Sequence, residues 1–211
     1  MFKTLDEIEC RGRRVIVRGD LNVPMQDGAV TDGTRLDRFA ATLQELSDKG
    51  ARVAVVSHLG RPQGEVRPEL SLQPIAEALS TALGGRAVAF ADNCIGAAAK
   101  SAIDALPDGG IILLENVRFH AGEEANDPTF IAALAENADL YVNDGFSVSH
   151  RAHASTAGIA GVLRAYAGRG MQAELEALAA ALEVPKKPVV ALVGGAKVST
   201  KLTVLGHLLD K

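Results

Sequence analysis

Arginine, histidine, aspartate and asparagine recur directly behind apolar runs in this sequence. Arg18-Gly19-Asp20-Leu21-Asn22-Val23-Pro24 follows the run at 14–17, and Ser57-His58-Leu59-Gly60-Arg61-Pro62 follows the run at 52–56. Glu115-Asn116-Val117-Arg118-Phe119-His120 follows 111–114, and Asn143-Asp144-Gly145-Phe146 follows 140–142 and leads into His150-Arg151-Ala152-His153. Arg35 stands at the start of the first helical run. A guanidinium is a planar fork that matches carboxylate and phosphate oxygens. Gathered at one rim, such arginines and histidines would repel one another without a ligand, and a small polyanion would relieve this. The chemistry implied is capture of a small, multiply charged, phosphorylated molecule. Asp20 and Asn22 suit a neutral hydroxyl beside the phosphate, since a carboxylate repels phosphate, and their plainer role is turn formation before Pro24. Singly, an arginine is more often a solvated charge or half of an ion pair, and a histidine a satisfied structural one. Their recurrence is what points to a site.

A further motif, Gly194-Gly195-Ala196-Lys197-Val198-Ser199-Thr200-Lys201, follows the apolar run at 188–193 and opens a helical pattern. Glycines permit close backbone approach, and a helix start offers unpaired N–H groups to an anion. Lys197 and Lys201 share one face at helical spacing, which reads as a polyphosphate contact or as an ordinary solvated face. The motif is neither a Walker A loop nor a GxGxxG dinucleotide fingerprint.

The elements that must hold these groups alternate. Apolar runs at 14–17, 52–56, 87–90, 111–114, 140–142 and 188–193 read as strands, with helical periodicity between them, the pattern of βαβ units around a buried parallel sheet. Leu36, Phe39, Ala40, Leu43 and Leu46 recur at helical spacing, with Thr34-x-x-Asp37 as the expected capping signal and Gly50 as the stop. A second helix follows Ser71 through Leu72, Ile75, Ala76, Leu79 and Leu83 to Gly84-Gly85. Two more are expected over 94–104 and 128–137.

Composition bounds the rest. With 47% hydrophobic and 23% charged residues the chain is expected to build a globular core, and a net charge of −4 argues against a nucleic-acid binder reliant on phosphate neutralisation. Two cysteines, Cys10 and Cys94, form no CxxC pair, so neither a zinc site nor a disulfide framework is expected, and a reducing cytoplasm fits. No apolar stretch is long enough to span a membrane, and the start is too charged for a signal peptide. Near residue 170 the pattern changes to a long Ala, Leu and Glu helix followed by the stiff Pro185-Lys186-Lys187-Pro188. The expected organisation is a ligand-binding domain over 1–169, a connecting helix and hinge over 170–185, and the first strand and helix of a second, incomplete domain over 186–211.

Taken together and in this order, RGDLNVP, SHLGRP, ENVRFH, NDGFSVSHRAHAS and GGAKVSTK resemble the phosphoglycerate kinase family along essentially the whole chain. The resemblance implies an α/β fold with a doubly wound parallel sheet and helices on both faces, Rossmann-like in three layers. It implies reversible phosphoryl transfer between 1,3-bisphosphoglycerate and ADP, giving 3-phosphoglycerate and ATP, with Mg2+ carried on the nucleotide. Asp20 and Asn22 would lie at the glycerate hydroxyls, and His58, Arg61, Arg118 and Arg151 at the phosphate and carboxylate ends. Arg35 would face the phosphoryl group in flight. Lys197 would neutralise the transferred phosphoryl and Lys201 would contact nucleotide phosphates, so only the glycerate half is complete here and the chain is expected to be inactive alone. A monomer is expected for the whole enzyme, with self-association open to this shorter chain. Gly19 stands where the family commonly has Val, Gly145 and Ser149 where Ala is usual, and Gly170 where a large apolar residue is expected. Glycine costs roughly 0.5–1 kcal/mol relative to alanine in regular structure, so the glycine positions bear on packing and rigidity more than on chemistry. Two rivals differ in class: a noncatalytic module that senses a phosphorylated metabolite, and a nucleotide-dependent oxidoreductase, disfavoured by the missing glycine fingerprint.

Overall fold

The segment Arg14–Arg18 forms strand β1, and its side chains alternate between two cores: Val15 and Val17 enter one, Ile16 the other. The same division holds along the whole sheet of this computed structural model, which describes residues 2–183 together with 187, 190 and 206. After β1 come a short hairpin, β2 (Met25–Gln26) and β3 (Ala29–Val30), then helix α1 (Thr34–Asp48) and strand β4 (Arg52–Val56). Helix α2 (Gln73–Ala82), β5 (Val88–Ala91), α3 (Gly96–Asp104) and β6 (Ile111–Leu114) follow. The remaining elements are α4 (Ala121–Glu124), α5 (Pro128–Ala135), β7 (Leu140–Asn143), β8 (Ala165–Ala167) and α6 (Arg169–Leu182).

Six strands form one sheet in the order β5-β6-β4-β1-β7-β8, parallel at every pairing. One face carries Leu36, Leu43 and Leu46 of α1 with Ile75 and Leu79 of α2; the other carries Ile103 of α3 with Phe130, Ile131 and Leu134 of α5. The three-layer α/β architecture is therefore the expected one. Strands buried on both faces must be apolar throughout, which is why IILL and RVAVV are so legible. The chain moves from β1 to β4 on one side and later returns to β7 on the other, so strand order reverses at β1. Ligands of such sheets bind at the carboxyl ends of strands beside this reversal.

Local expectations hold with corrections. Helix α1 starts at Thr34, but Thr34 is not its cap: Asp32 accepts from the Thr34 amide at 2.9 Å, and the N-cap residue is Gly33. Gly50 ends the run at φ +80°. Strand β5 lies one residue later than the run at 87–90. The hairpin and β8 were not expected, because strands of two or three residues are too short to show a period. The run at 188–193 lies outside the described residues apart from Val190, which is exposed.

The chain divides into two compact units, Met1–Gln172 and Ala173–Lys211, and α6 crosses the division. The first unit contains the whole sheet. At its end Asp144 accepts from the Met171 amide at 2.9 Å, and Arg169 joins Asp6 at 2.6 Å and Glu45 at 2.7 Å, tying the start of α6 to the N-terminal segment and to α1. Among the described residues no helix is long and apolar enough to cross a membrane.

Candidate functional site

The carboxyl ends of β1, β4 and β6 are stitched into one polar rim. Gly60, in the loop after β4, donates its amide to Asn22 Oδ1 at 3.0 Å and accepts from Arg118 Nη1 at 2.8 Å. Asn116 donates through Nδ2 to the carbonyls of Leu59 and Leu70, so the loop carrying His58 and Arg61 is held from both sides. Glu115 accepts from Leu72 N and Ser71 Oγ, locking that loop to the start of α2. These side-chain bonds satisfy the backbone polar groups of a glycine-containing loop that is buried over residues 57–59, and so hold it in one shape.

The charged groups sort by partner. Asp20 Oδ2 lies 2.6 Å from Arg35 Nη1 and also accepts from the Ser147 hydroxyl, while Oδ1 accepts from the Asn22 amide. Burial pushes the Asp20 carboxyl up, but the Ser147 hydroxyl, Arg35 and the Asn22 amide outweigh it and hold the group below the ordinary carboxylate range. Arg118 is buried and pairs with Glu124 at 3.2 Å. The expected repulsion among rim arginines is thus already relieved at Arg35 and Arg118 by acidic neighbours. Arg61 and Arg151 differ: among the described residues neither guanidinium makes a hydrogen bond or ion pair, and Arg61 is exposed. They are the rim arginines without a protein partner among the described residues.

His58 is buried at the end of β4, and its imidazole is pushed down to about 3, first by burial and then by the charges of Arg18 and Arg118. It is therefore neutral at neutral pH. The other histidines of these motifs divide. His120 turns from the rim to Asn93 and stacks against Phe130, whereas His153 stands 3.9 Å from Glu123.

Below the rim lies a buried polar cluster. Arg18, 2% exposed, donates from Nε to Ser155 Oγ at 2.8 Å, and Nη2 lies 3.1 Å from His58 Nδ1. Ser155 sits on a single π turn, Ala154–Gly158, and gives both its hydroxyl and its amide to Glu123, at 2.6 and 2.8 Å. Tyr141 donates to the Ser155 carbonyl at 2.9 Å.

A family model described as phosphoglycerate kinase matches residues 5–211. The chain belongs to the phosphoglycerate kinase family. It is 60% identical over 211 residues to the phosphoglycerate kinase of Chelativorans sp. (strain BNC1), and 58% identical over 210 residues to that of Bartonella quintana (strain Toulouse); each match covers all of this chain and 53% of the relative. Among solved structures, phosphoglycerate kinase from Coxiella burnetii aligns with TM-score 0.88 at 43% identity, and that from Pyrococcus horikoshii OT3 with 0.85 at 31%. Both alignments cover 100% of this chain and 53% of the other. The chain spans about half the length of the curated relatives it matches.

Of the residues that the family resemblance singles out, Asp20, Asn22, Arg35, His58, Arg61, Arg118 and Arg151 all lie at the carboxyl ends of β1, β4, β6 and β7 or on the helix and loops beside them. Arg35 bonds directly to the Asp20 carboxylate and to the Asn22 carbonyl, and Asn22 is linked to Arg118 through the backbone of Gly60. Arg61 has no such bond to them. Lys197 and Lys201 lie outside the described residues. Sequence reasoning quoted Arg18 only as part of a motif and did not single out Glu123 or Ser155. A charged residue ending an otherwise apolar strand was the available signal for Arg18, whereas nothing in Glu123-Glu124 tells the fully buried member from the exposed one.

The three glycines that the family resemblance singled out are not vacant positions. A Cβ at Gly19 would lie 2.6 Å from Phe39 Cζ, and one at Gly145 2.9 Å from Val148 Cγ2. At Gly170 it would lie 3.1 Å from Asp144 Oδ1. At all three, neighbouring side chains stand within contact of the place a methyl would take.

Proposed function

We propose that this chain supplies the 3-phosphoglycerate and 1,3-bisphosphoglycerate site of an enzyme that transfers a phosphoryl group between 1,3-bisphosphoglycerate and ADP. The observation that carries the reading is that Arg61 and Arg151 have no partner among the described residues, on a rim where Arg35 and Arg118 have acidic ones. Arg61, Arg118 and Arg151 hold the phosphate and carboxylate ends of the ligand, Asp20 and Asn22 its hydroxyls, and His58 contributes a neutral imidazole. Asn22 Nδ2 is available for this because only Oδ1 is used by the protein among the described residues.

Phosphoryl transfer demands in-line positioning and neutralisation of charge on the equatorial oxygens rather than a covalent intermediate. Arg35 supplies positive charge to that oxygen set from the first unit, and its exposed guanidinium can leave Asp20 at little cost. Lys197 supplies charge from the segment beyond 186 and Lys201 contacts the nucleotide phosphates; both assignments rest on the family motif. Mg2+ arrives with ATP or ADP as part of that substrate, and among the described residues no group of three or more His, Cys, Asp or Glu side chains is placed to hold a metal. Residues 1–169 act as the glycerate domain, 170–185 as the connection, and 186–211 as part of the nucleotide domain. The working compartment is the cytoplasm and the whole enzyme is a monomer.

Calorimetric titration of the 211-residue chain with 3-phosphoglycerate tests this. Arg61→Ala and Arg118→Ala are each expected to weaken binding by roughly 1.5–3 kcal/mol, the range for hydrogen bonds to charged groups. Unchanged dissociation constants in both variants overturn the assignment.

A further inference from the structure

Donor and acceptor roles around Arg18 can be counted completely. Arginine carries five N–H donors, has no acceptor, and stays protonated in proteins. Arg18 uses Nε on Ser155 Oγ, Nη1 on the Gly19 carbonyl and, at 3.4 Å, on the Ser57 hydroxyl, and Nη2 on the His58 ring. The Ser155 hydroxyl, having accepted from Arg18, donates its own proton to Glu123 Oε1, while Glu123 Oε2 accepts the Ser155 amide. Glu123 is fully buried, so it is the countercharge of the Arg18 guanidinium at one remove. Nothing in this chain of bonds can be reversed: a carboxylate at one end only accepts and a guanidinium at the other only donates.

The consequence falls on His58. Facing an obligate donor at 3.1 Å, Nδ1 must accept, and a neutral imidazole that accepts at Nδ1 carries its proton on Nε2. Nε2 has no hydrogen-bond partner among the described residues. The only buried side-chain polar atom without a partner among them is Asn126 Oδ1, so Nε2 reaches solvent. We propose that the Glu123–Ser155–Arg18 relay fixes His58 as the neutral Nε2–H tautomer and so presents one hydrogen-bond donor to an anionic oxygen of the bound ligand. Glu123, Ser155 and Arg18 are positioning residues for that donor. The tautomer follows from the protein alone; its use on a phosphorylated glycerate rests on the function proposed above.

The relay explains why a histidine rather than a further arginine suits this place. The charges that act on His58 are those of Arg18, Arg118, Arg151 and Asp20, three cations against one anion, so another full positive charge would be opposed. A neutral N–H still donates to an anionic oxygen without adding to the repulsion.

Long-range 1H–15N correlation on the whole 211-residue chain, labelled with 15N-histidine at neutral pH, reads the tautomer directly. The expected spectrum has His58 protonated at Nε2 and bare at Nδ1. Protonation at Nδ1, or an even mixture of tautomers, overturns the proposal without any variant, which matters because Arg18→Met and Glu123→Gln are placed where folding itself is at risk. Ser155→Ala cuts the relay at a small side chain. It is expected to let His58 exchange between tautomers and to weaken 3-phosphoglycerate binding about tenfold. Weakened binding with an unchanged His58 spectrum overturns the positioning role. Absence of 3-phosphoglycerate binding in the unaltered chain, with His58 protonated at Nε2, overturns the ligand reading and leaves the tautomer standing.

Discussion

Arg35 Nη1 lies 2.6 Å from Asp20 Oδ2, so the cation expected to face a phosphoryl group is held by a carboxylate of the same rim. The Arg35 side chain is 51% exposed and that of Asp20 only 13%, which decides what the contact is for. A half-solvated pair contributes at most about 1 kcal/mol. Asp20 parks Arg35 rather than anchoring the fold. Asp20→Asn is therefore expected to shift the unfolding free energy by no more than about 1 kcal/mol in urea titration, and a loss of several kcal/mol would show that the pair is structural.

Glu123 behaves in the opposite way. It is fully buried, and its carboxylate receives two hydrogen bonds from Ser155 while compensating Arg18. Removing one member of a buried charged network strands the other, at a cost of about 3–5 kcal/mol. Glu123→Ala should approach that loss in urea titration, whereas Glu124→Ala, which removes an exposed partner of Arg118, should cost about 1 kcal/mol or less.

Acid should destabilise the protein through His58. In the folded chain its imidazole takes a proton only near pH 3, against an ordinary 6.5, because burial and then the charges of Arg18 and Arg118 oppose the cation. Between those values the unfolded chain binds more protons, so stability rises with pH across the window and is lost as pH falls from about 6.5 toward about 3. His58→Gln removes this contribution. Urea unfolding between pH 4.5 and 7.5 should show a shallower pH dependence in the variant, and an identical slope would mean that His58 is not kept neutral.

At Gly19 the expected effect is overpacking. A methyl there would lie 2.6 Å from the ring of Phe39, which is itself buried in the first core layer, so Gly19→Ala should cost about 1–3 kcal/mol. Phe39→Leu should recover part of that loss in the double variant, a coupling that independent sites would not show. Additive effects would indicate that the ring moves aside without strain.

A polypeptide of these 211 residues is expected to bind 3-phosphoglycerate yet to show no phosphoryl transfer in a coupled assay. The family members it matches are about twice as long, and pre-positioning of both reactants accounts for roughly 7–11 kcal/mol of barrier reduction in well-oriented reactions. Mixing with the carboxyl-terminal half of a family member should raise turnover above that of either part. Binding without turnover even then would favour a noncatalytic metabolite-binding role.

The strands β1, β4, β5, β6 and β7 and the general position of the candidate site were legible from residue order alone. An all-parallel sheet buried on both faces forces apolar runs at β1, β4, β6 and β7, and the polar residues after each run had to emerge at one edge of the sheet. The helical face of α1 was legible for the same reason, since burial selects a period. What tertiary structure alone decided is how charge is shared. Whether an arginine is paired depends on which acid lies across from it: Arg118 meets Glu124 and Arg35 meets Asp20, while Arg61 and Arg151 meet none among the described residues. Glu123 and Glu124 are adjacent and chemically identical, yet one is sealed beneath the rim with Ser155 and the other faces Arg118 at the surface. Burial, and with it the strength of every interaction these groups make, is a property of the packed neighbours from other elements, and no local pattern in the sequence encodes it.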